Sequence, residues 1–214
     1  NNIKIFKGYT VTDTFGYKRI NRISIKQLSK DGQKVIGSRI NLSCDCLGVS
    51  GGWTPAVHLF TQSGGKLKFR DEDQTFIPNT YPSDQLSIGA CNGDLTLDEI
   101  LNNTPISLKK FLNIKNTEYD KLEILSSTNK SKRNIWLLPS DKVLGKTKSF
   151  VDYQNDATAK DIKLALREGF RSIEHVKRYT TTGMGTDQGK LGNMHALGII
   201  SETAGAKMGE LGTT

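Results

Sequence analysis

The stretch that decides the fold is FVDYQNDATAKDIKLALREGFRSIEHVKRYTTTGMGTDQGKLGN, which occupies Phe150–Asn193. It contains two short helical patterns, Thr158–Glu168 and Ser172–Tyr179, because apolar residues recur there at intervals of three and four. Two loops frame these patterns. Loop 1 is VDYQ, residues 151–154, and loop 2 is GMGTDQGKLG, residues 183–192. This order of loops and helices predicts a small helical module.

The ends of the helices in this module are marked by their sequence. Thr158 is a predicted N-cap for a helix over Ala159–Glu168, and Gly169 suits its C-terminal stop. Ser172 can cap the second helix in the same way. A third helix is predicted over Met194–Ala204. Together these segments predict a compact module of roughly 60 residues, since each helix has one apolar face to bury.

Loops 1 and 2 resemble the ligand loops of bacterioferritin-associated-ferredoxin-like [2Fe–2S] domains, in which they read V-C-x-C and G-M-G-x-C-Q-G-x-x-C. The iron in such a cluster is held by four thiolates. The four cysteine positions are occupied here by Asp152, Gln154, Asp187 and Gly192. These residues cannot hold the cluster, so we expect a cysteine-less module without metal. The two carboxylates are interpreted as solvated replacements, and a hard cation between them is the weaker alternative.

Three longer runs resemble the alpha subunit of heterotetrameric sarcosine oxidase. They are FVDYQNDATAKDI, REGFRSIEHVKRYTTTGMGTDQGK and VSGGWTPAVHLFTQSGGK, which begin at residues 150, 167 and 49. The resemblance covers most of the chain and is loosest over Leu108–Lys148. Because the subunits of this family are several times longer, the resemblance implies that the chain is an internal piece of such a subunit.

Composition excludes several other classes of protein. The net charge is +8, but the basic residues are scattered and not interleaved with aromatic residues, so we expect no nucleic-acid partner. No apolar run reaches the ~18–20 residues that span a bilayer, so we expect no membrane partner. Cys44, Cys46 and Cys91 are sparse and odd in number. This predicts reduced, buried or half-buried thiols and a cytoplasmic location.

The first part of the chain predicts a β-meander. Ile3–Thr12, Arg19–Leu28 and Gln33–Leu42 alternate apolar and polar residues, and turn residues such as Asp31-Gly32 separate them. Further elements are predicted downstream: a strand at Cys46–Ser50, a helix over Ala56–Gln62 after Pro55, a pairing of Phe69 with Phe76–Ile77, a buried strand at Leu86–Ala90, and a helix over Thr96–Asn102 capped by Thr96.

This order of elements resembles the pyridine-nucleotide–disulfide reductase fold. The predicted fold class is therefore α/β (α+β): a partial FAD/NAD-binding reductase-type domain with the meander over residues 1–107, a connector over 108–148, and the helical [2Fe–2S]-like module over 149–214. Within the connector, Trp136 is expected to dock an apolar segment. The resemblance to the sarcosine oxidase alpha subunit also implies that the turn containing Gly89, Asn92 and Gly93 contacts NAD.

The segment between the second helix and loop 2 is a candidate phosphate site. Residues 177–186 place two cations beside four threonine hydroxyls and two glycines, which are the groups that bind phosphate oxygens. The resemblance implies an FMN shared with the beta subunit. The predicted contacts are Lys177, Arg178, Thr180, Thr181, Gly183, Gln188 and Lys190. The plain alternative is an exposed helix end with cations that favour its dipole.

By resemblance, the chain is the nucleotide- and FMN-binding, subunit-docking part of a flavin-dependent amine oxidoreductase. Its parent reaction is oxidative demethylation of sarcosine to glycine with O2 and folate, and FAD and folate lie on other parts of the complex. The implied partners are the beta subunit and the smaller subunits. The sequence has no Gly-x-Gly-x-x-Gly motif and no catalytic grouping, so we expect the fragment itself to be inactive.

Two alternatives stay open. One is the alpha subunit of a related amine, proline or opine dehydrogenase, although those relatives usually keep the cysteines. The other is a non-catalytic scaffold that binds no cofactor.

Overall fold

A computed structural model describes residues 3–82, 84–115 and 134–212 as a mixed α/β structure of small sheets and helices. The α/β class predicted from sequence is confirmed at this level. The chain divides into two compact units, one built mainly from Asn1–Ser50 with Ile135–Ala206, the other from Gly51–Asn134 with Lys207–Thr213. The predicted boundaries at residues 107 and 148 follow composition, whereas these units follow spatial contact, and the three-domain assignment stays a prediction.

The predicted meander is confirmed as a three-stranded antiparallel sheet in the order β1-β2-β3, with strands Tyr9–Phe15, Arg22–Leu28 and Val35–Ser43. Ile23 and Ile25 of β2 are buried. The first strand begins at Tyr9, whereas the sequence predicted that it would begin at Ile3. The physical reason is Gly8, whose φ of 74° lies outside the extended region and interrupts the strand.

In the second unit, helix α1 covers His58–Gln62, strands β4 and β5 cover Lys66–Arg70 and Thr75–Thr80, and helix α2 covers Leu97–Phe111. The predicted hairpin is confirmed, since Phe69 pairs with Phe76 and their ring centroids are 5.2 Å apart.

Helix α2 begins as predicted at Thr96, whose hydroxyl accepts a hydrogen bond from the Glu99 N–H while the Glu99 carboxylate accepts from the Thr96 N–H. It continues past the predicted end at Asn102 and includes Pro105. Leucines recur along it and are all exposed: Leu97, Leu101 and Leu108.

Two predicted strands are wrong. Cys46–Ser50 is irregular, and Cys46 is exposed rather than buried. Leu86–Ala90 leads instead into a short 3-10 turn over Gly89–Asn92. Gly89 has a φ of 67°, which ends an extended backbone at the point where the strand was predicted.

The three helices predicted for the last third of the chain are present, and their likeness to a [2Fe–2S]-type module stays a prediction. Strands β6 (Phe150–Asp152) and β7 (Ala157–Thr158) pair, and helices α3 (Ala159–Arg167), α4 (Ile173–Thr180) and α5 (Asn193–Ala204) follow. Thr158 caps α3 in a capping box with Asp161, whereas the Ser172 side chain makes no capping bond to α4. The helices meet in a core whose members are at most 1% exposed: Ala159, Ile162, Ala165, Ile173, Val176, Ala196, Leu197, Ile199 and Ile200.

Trp136 docks onto this unit, as the sequence predicts. A Cβ added at Gly198 of α5 would lie 2.1 Å from the Trp136 ring, and the ring also meets His195 edge-on at 5.9 Å between centroids. Gly198 therefore makes room for the indole. Residues 116–133 of the predicted connector lie outside the described residues.

We predict that Gly198→Ala destabilises the chain although alanine is the better helix former. Helix propensity alone would add up to about 1 kcal/mol of stability. The new methyl group, however, would collide with the indole, and overpacking of this kind costs about 1–3 kcal/mol. Urea unfolding would measure the change, with Gly48→Ala as control because nothing lies within 4 Å of its Cβ position. A more stable Gly198→Ala would contradict the docking of Trp136.

Candidate functional site

Loops 1 and 2 lie against each other and are joined by hydrogen bonds that two residues of loop 1 accept. The Asp152 carboxylate accepts a 2.8 Å bond from the Gly183 N–H. The Gln154 side-chain carbonyl accepts bonds of 2.6 and 2.7 Å from the N–H and hydroxyl of Thr186. We call this set the loop cross-link. Two of the four positions that carry cysteine in the resembled domains therefore connect the loops.

Asp152 is the most buried part of the cross-link, with 7% of its surface exposed. Its carboxylate also accepts bonds from the Gln154 N–H at 2.8 Å and from the Asn155 N–H and side-chain amide at 3.1 Å. Burial opposes ionisation, but the hydrogen bonds from Asn155, Gly183 and Gln154 together hold the pKa of Asp152 below its ordinary value. The interpretation of Asp152 as a solvated replacement is therefore wrong.

The other two positions that carry cysteine in the resembled domains lie in loop 2 and are occupied by Asp187 and Gly192. Asp187 accepts bonds from the N–H groups of Gly189 at 3.3 Å and Leu191 at 3.4 Å, so it shapes its own loop. A Cβ added at Gly192 would lie 2.6 Å from the Val151 carbonyl oxygen. Loop 1 thus occupies the space that a side chain at position 192 needs. Within the described ranges, no group of three or more His, Cys, Asp or Glu is placed to hold a metal ion.

The predicted phosphate contacts of α4 lie at its C-terminal end. The Lys177 ammonium is 3.6 Å from the Glu174 carboxylate, and its side chain is only 16% exposed. The Arg178 guanidinium is 3.9 Å from the same carboxylate and 66% exposed, so it is open to solvent. A helix C-terminus carries a partial negative charge, which stabilises these cations and does not attract phosphate.

The threonine hydroxyls after α4 are used inside the segment. Thr180 donates to the Val176 carbonyl at 2.8 Å, and Thr181 donates to the Thr180 carbonyl at 2.6 Å. The buried Thr182 hydroxyl lies 2.7 Å from that of Thr180 and must donate to it, since the Thr180 hydrogen is already used. Thr186 donates to Gln154. These hydroxyls have no hydrogen left for a phosphate in this arrangement.

The remaining predicted contacts of loop 2 differ in exposure. Gln188 and Lys190 are exposed, and Gly183 lies inside the cross-link. Gly183 also has a φ of 75°, which favours glycine. Of the predicted contacts, Arg178, Thr181, Gln188 and Lys190 have exposed side chains, and the Thr181 hydroxyl donates within its own segment.

Gly89, Asn92 and Gly93 lie in the second unit, in the 3-10 turn before α2. Gly93 has a φ of 91°, and a Cβ there would lie 2.7 Å from the Arg70 guanidinium, which donates to the Gly93 carbonyl at 2.8 Å. Arg70 is in turn hydrogen-bonded to Asp73. The space left by the missing side chain of Gly93 is therefore occupied by the Arg70 guanidinium. The contact of Gly89, Asn92 and Gly93 with NAD stays a prediction.

Sequence reasoning missed Asn193, which is 8% exposed at the start of α5. Cβ atoms added at Gly183 and Gly189 would fall 2.1 and 2.2 Å from its side-chain amide. The amide therefore fills the space between two glycines of loop 2. The signal was present as two glycines six residues apart, with asparagine four residues later.

Three apolar side chains of the loops point to solvent. Tyr153 of loop 1 is 72% exposed, and Met184 and Leu191 of loop 2 are 53% and 73% exposed. We call these three residues the loop face. Exposed apolar residues are common singly, but several on loops that are held together are typical of an interaction site.

Comparison with known proteins agrees with the sequence resemblance. The family model described as "Sarcosine oxidase A3 domain" matches residues 146–214. The chain is 30% identical over 220 residues to the sarcosine oxidase subunit alpha of Rhizobium meliloti (strain 1021), covering 94% of this chain and 21% of that protein. It is 29% identical over 224 residues to the corresponding subunit of Corynebacterium sp. (strain P-1), covering 99% and 22%.

The fold is also similar to a solved structure, the L-proline dehydrogenase from P. horikoshii. The TM-score is 0.51 at 19% identity, covering 95% of this chain and 41% of that one, and at this identity the likeness shows the fold alone.

Residues 146–214 therefore match one domain of a larger protein, and the likeness to the relatives extends over nearly the whole chain. More particularly, the chain belongs to the sarcosine oxidase alpha-subunit family, as its sequence indicates. It spans about a fifth of the length of the curated relatives it matches.

Among the described residues, no helix combines the length and the apolar character needed to cross a membrane.

We predict that Asp152 makes the stability of the chain sensitive to acid. Its folded-state pKa is depressed, so its contribution is present above the unfolded pKa of about 3.9 and is lost as the pH falls through the folded value. Asp152→Asn should cost about 1–3 kcal/mol at pH 7, because it removes a hydrogen-bonded charge, and should flatten the pH dependence.

Urea unfolding at pH 7 and pH 3 measures both effects. Asp156→Asn is the matched control, since Asp156 is an exposed acid just after loop 1 whose φ of 53° asparagine tolerates. Equal pH dependence in Asp152→Asn and the unchanged chain would contradict this assignment.

Proposed function

We propose that the chain is the part of a sarcosine-oxidase-type alpha subunit that docks another subunit through its loop face and helps to bind FMN at that contact. The observation that carries this proposal is the loop face itself. Tyr153, Met184 and Leu191 are exposed on loops that polar bonds hold in place. Covering them would remove apolar surface from water, which favours association.

The parent reaction proposed for the complete enzyme is oxidative demethylation of sarcosine to glycine with O2 and folate. The support is the family membership, in which the relatives are named as subunits of sarcosine oxidase. A bound flavin would supply the electron-accepting chemistry. The partners proposed are the beta subunit and the smaller subunits of a heterotetramer. FAD and folate are assigned to other parts of the complex, and the chain alone is proposed to be inactive.

The residues around loop 2 fit an FMN phosphate only in part. The hydroxyls of Thr180 and Thr181 donate to carbonyls of their own segment, so they do not fit. The guanidinium of Arg178 is exposed, as is the side chain of Lys190, and both fit a phosphate dianion as charged donors. We therefore assign the phosphate contact to Arg178 and Lys190. For NAD, the support at Gly89, Asn92 and Gly93 is the form of the turn alone.

We predict that Arg178→Ala and Lys190→Ala each lower the FMN affinity of the complete complex. Loss of one charge-assisted hydrogen bond costs about 1.5–3 kcal/mol, which corresponds to a roughly tenfold or larger rise in Kd. Titration of FMN into the flavin-stripped complex, followed by flavin fluorescence, would measure this. Thr181→Val is the matched control, because the Thr181 hydroxyl is used within its own loop.

The assignment would be contradicted by the reverse result, in which Thr181→Val weakens FMN binding and neither cation variant does. The alternative of an exposed helix end predicts that none of the three variants changes FMN affinity.

We predict that Leu191→Asp weakens association with the beta subunit by about tenfold or more, because it places a charge in an apolar contact. Val49→Asp is the control: Val49 is 79% exposed against 73% for Leu191 and belongs to the same unit, but it lies outside both loops. Surface plasmon resonance with the co-purified subunits measures both variants. Equal affinity of the two variants would count against docking through the loop face.

A further inference from the structure

The loop cross-link and the loop face are interleaved along the chain. Tyr153 lies between Asp152 and Gln154, the two residues of loop 1 that accept hydrogen bonds from loop 2. Met184 lies between Gly183 and Thr186, the two residues of loop 2 that donate those bonds. Each exposed apolar side chain is therefore held on both sides. Their backbones cannot separate without breaking at least one bond of the cross-link.

The cross-link also has the bonding pattern of a rigid connection. Asp152 is only 7% exposed, and its carboxylate accepts hydrogen bonds from both loops. The Gln154 carbonyl receives two donors from one residue, Thr186, which fixes direction as well as distance. Bonds to an ionised, buried acceptor are the stronger class of hydrogen bond.

Gly192 shows how closely the two loops approach each other. Its φ of −101° suits any residue, so its backbone conformation does not require glycine. What excludes a side chain is the Val151 carbonyl oxygen, 2.6 Å from the Cβ position. In an open site with space for a fourth ligand, that contact would be absent. The place of the fourth cysteine is therefore filled by the backbone of loop 1.

We propose that Asp152 and Gln154 are positioning residues that fix loop 2 against loop 1. They stand at the places where the resembled domains carry cysteine, and they present Tyr153 and Met184 as a preformed contact surface for the beta subunit. The cross-link stands on the geometry of this chain alone. Its use in docking rests on the proposed function. A preformed surface binds more tightly because less conformational freedom is lost on association.

Hydrogen exchange of individual amides tests the cross-link directly. Gln154→Met keeps the length of the side chain and removes its acceptor, so the Thr186 amide should exchange at least about tenfold faster while helix α5 is unchanged. Asp152→Leu, which has a similar size and no hydrogen-bond acceptor, should do the same to the Gly183 amide. Gln62→Met, at an exposed glutamine of the second unit, is the control. Unchanged exchange at Thr186 and Gly183 would overturn the cross-link.

Gly192→Ala tests the closure of the loops. The added methyl group should lower the melting temperature by about 5 °C, because loop 1 must move. Gly48→Ala, whose Cβ position is open, should leave it unchanged or slightly raised. An unchanged melting temperature in Gly192→Ala would show that the loops are not closed at this point.

The affinity of Gln154→Met for the beta subunit tests the second half of the proposal. We expect a several-fold loss, since Tyr153 and Met184 are still present but no longer held. If exchange becomes faster while affinity is unchanged, the cross-link is real but does not present the surface. Docking through the loop face is judged separately by Leu191→Asp, so failure of the positioning role and failure of the proposed function give different results.

Discussion

The hydrogen bonds that the buried Asp152 carboxylate accepts are the interaction on which the arrangement of loops 1 and 2 depends. This carboxylate joins the start of the module to the segment that follows α4, because it accepts hydrogen bonds from its own loop and from Gly183. A charge at this depth is stable only when donors surround it. The donors are mostly backbone N–H groups, so the position of the carboxylate fixes the course of both loops.

A hydrogen-bonded connection differs from a metal cluster in what it demands of the loops. A cluster needs four thiolates around a space large enough for iron and sulfide. Hydrogen bonds need direct contact between the loops, and this contact is seen where Val151 meets Gly192. In this chain the two loops are therefore in direct contact, and polar side chains and backbone groups make that contact.

The sequence predicted those parts of the fold that depend on local chemistry. Thr96 and Thr158 begin helices because their hydroxyls cap them, and alternation predicts the meander. It failed where a single glycine dihedral decides, as at Gly8 and Gly89. At the candidate site, it identified the polar residues but not their partners. Residue type shows that Thr180 can donate to phosphate, yet only the fold shows that its hydrogen goes to Val176.

Exposed apolar side chains lie on a helix in the second unit and on loops in the first unit, and the two settings support them differently. In the second unit, Leu97, Leu101 and Leu108 are exposed along α2, a helix whose own backbone bonds keep it regular whether or not that face is covered. Loop residues have no such internal support, so an exposed apolar loop would normally be free to collapse inward. Tyr153 and Met184 stay outward because the polar groups beside them are bonded across the loops. The polar groups of the two loops thus keep this apolar surface exposed.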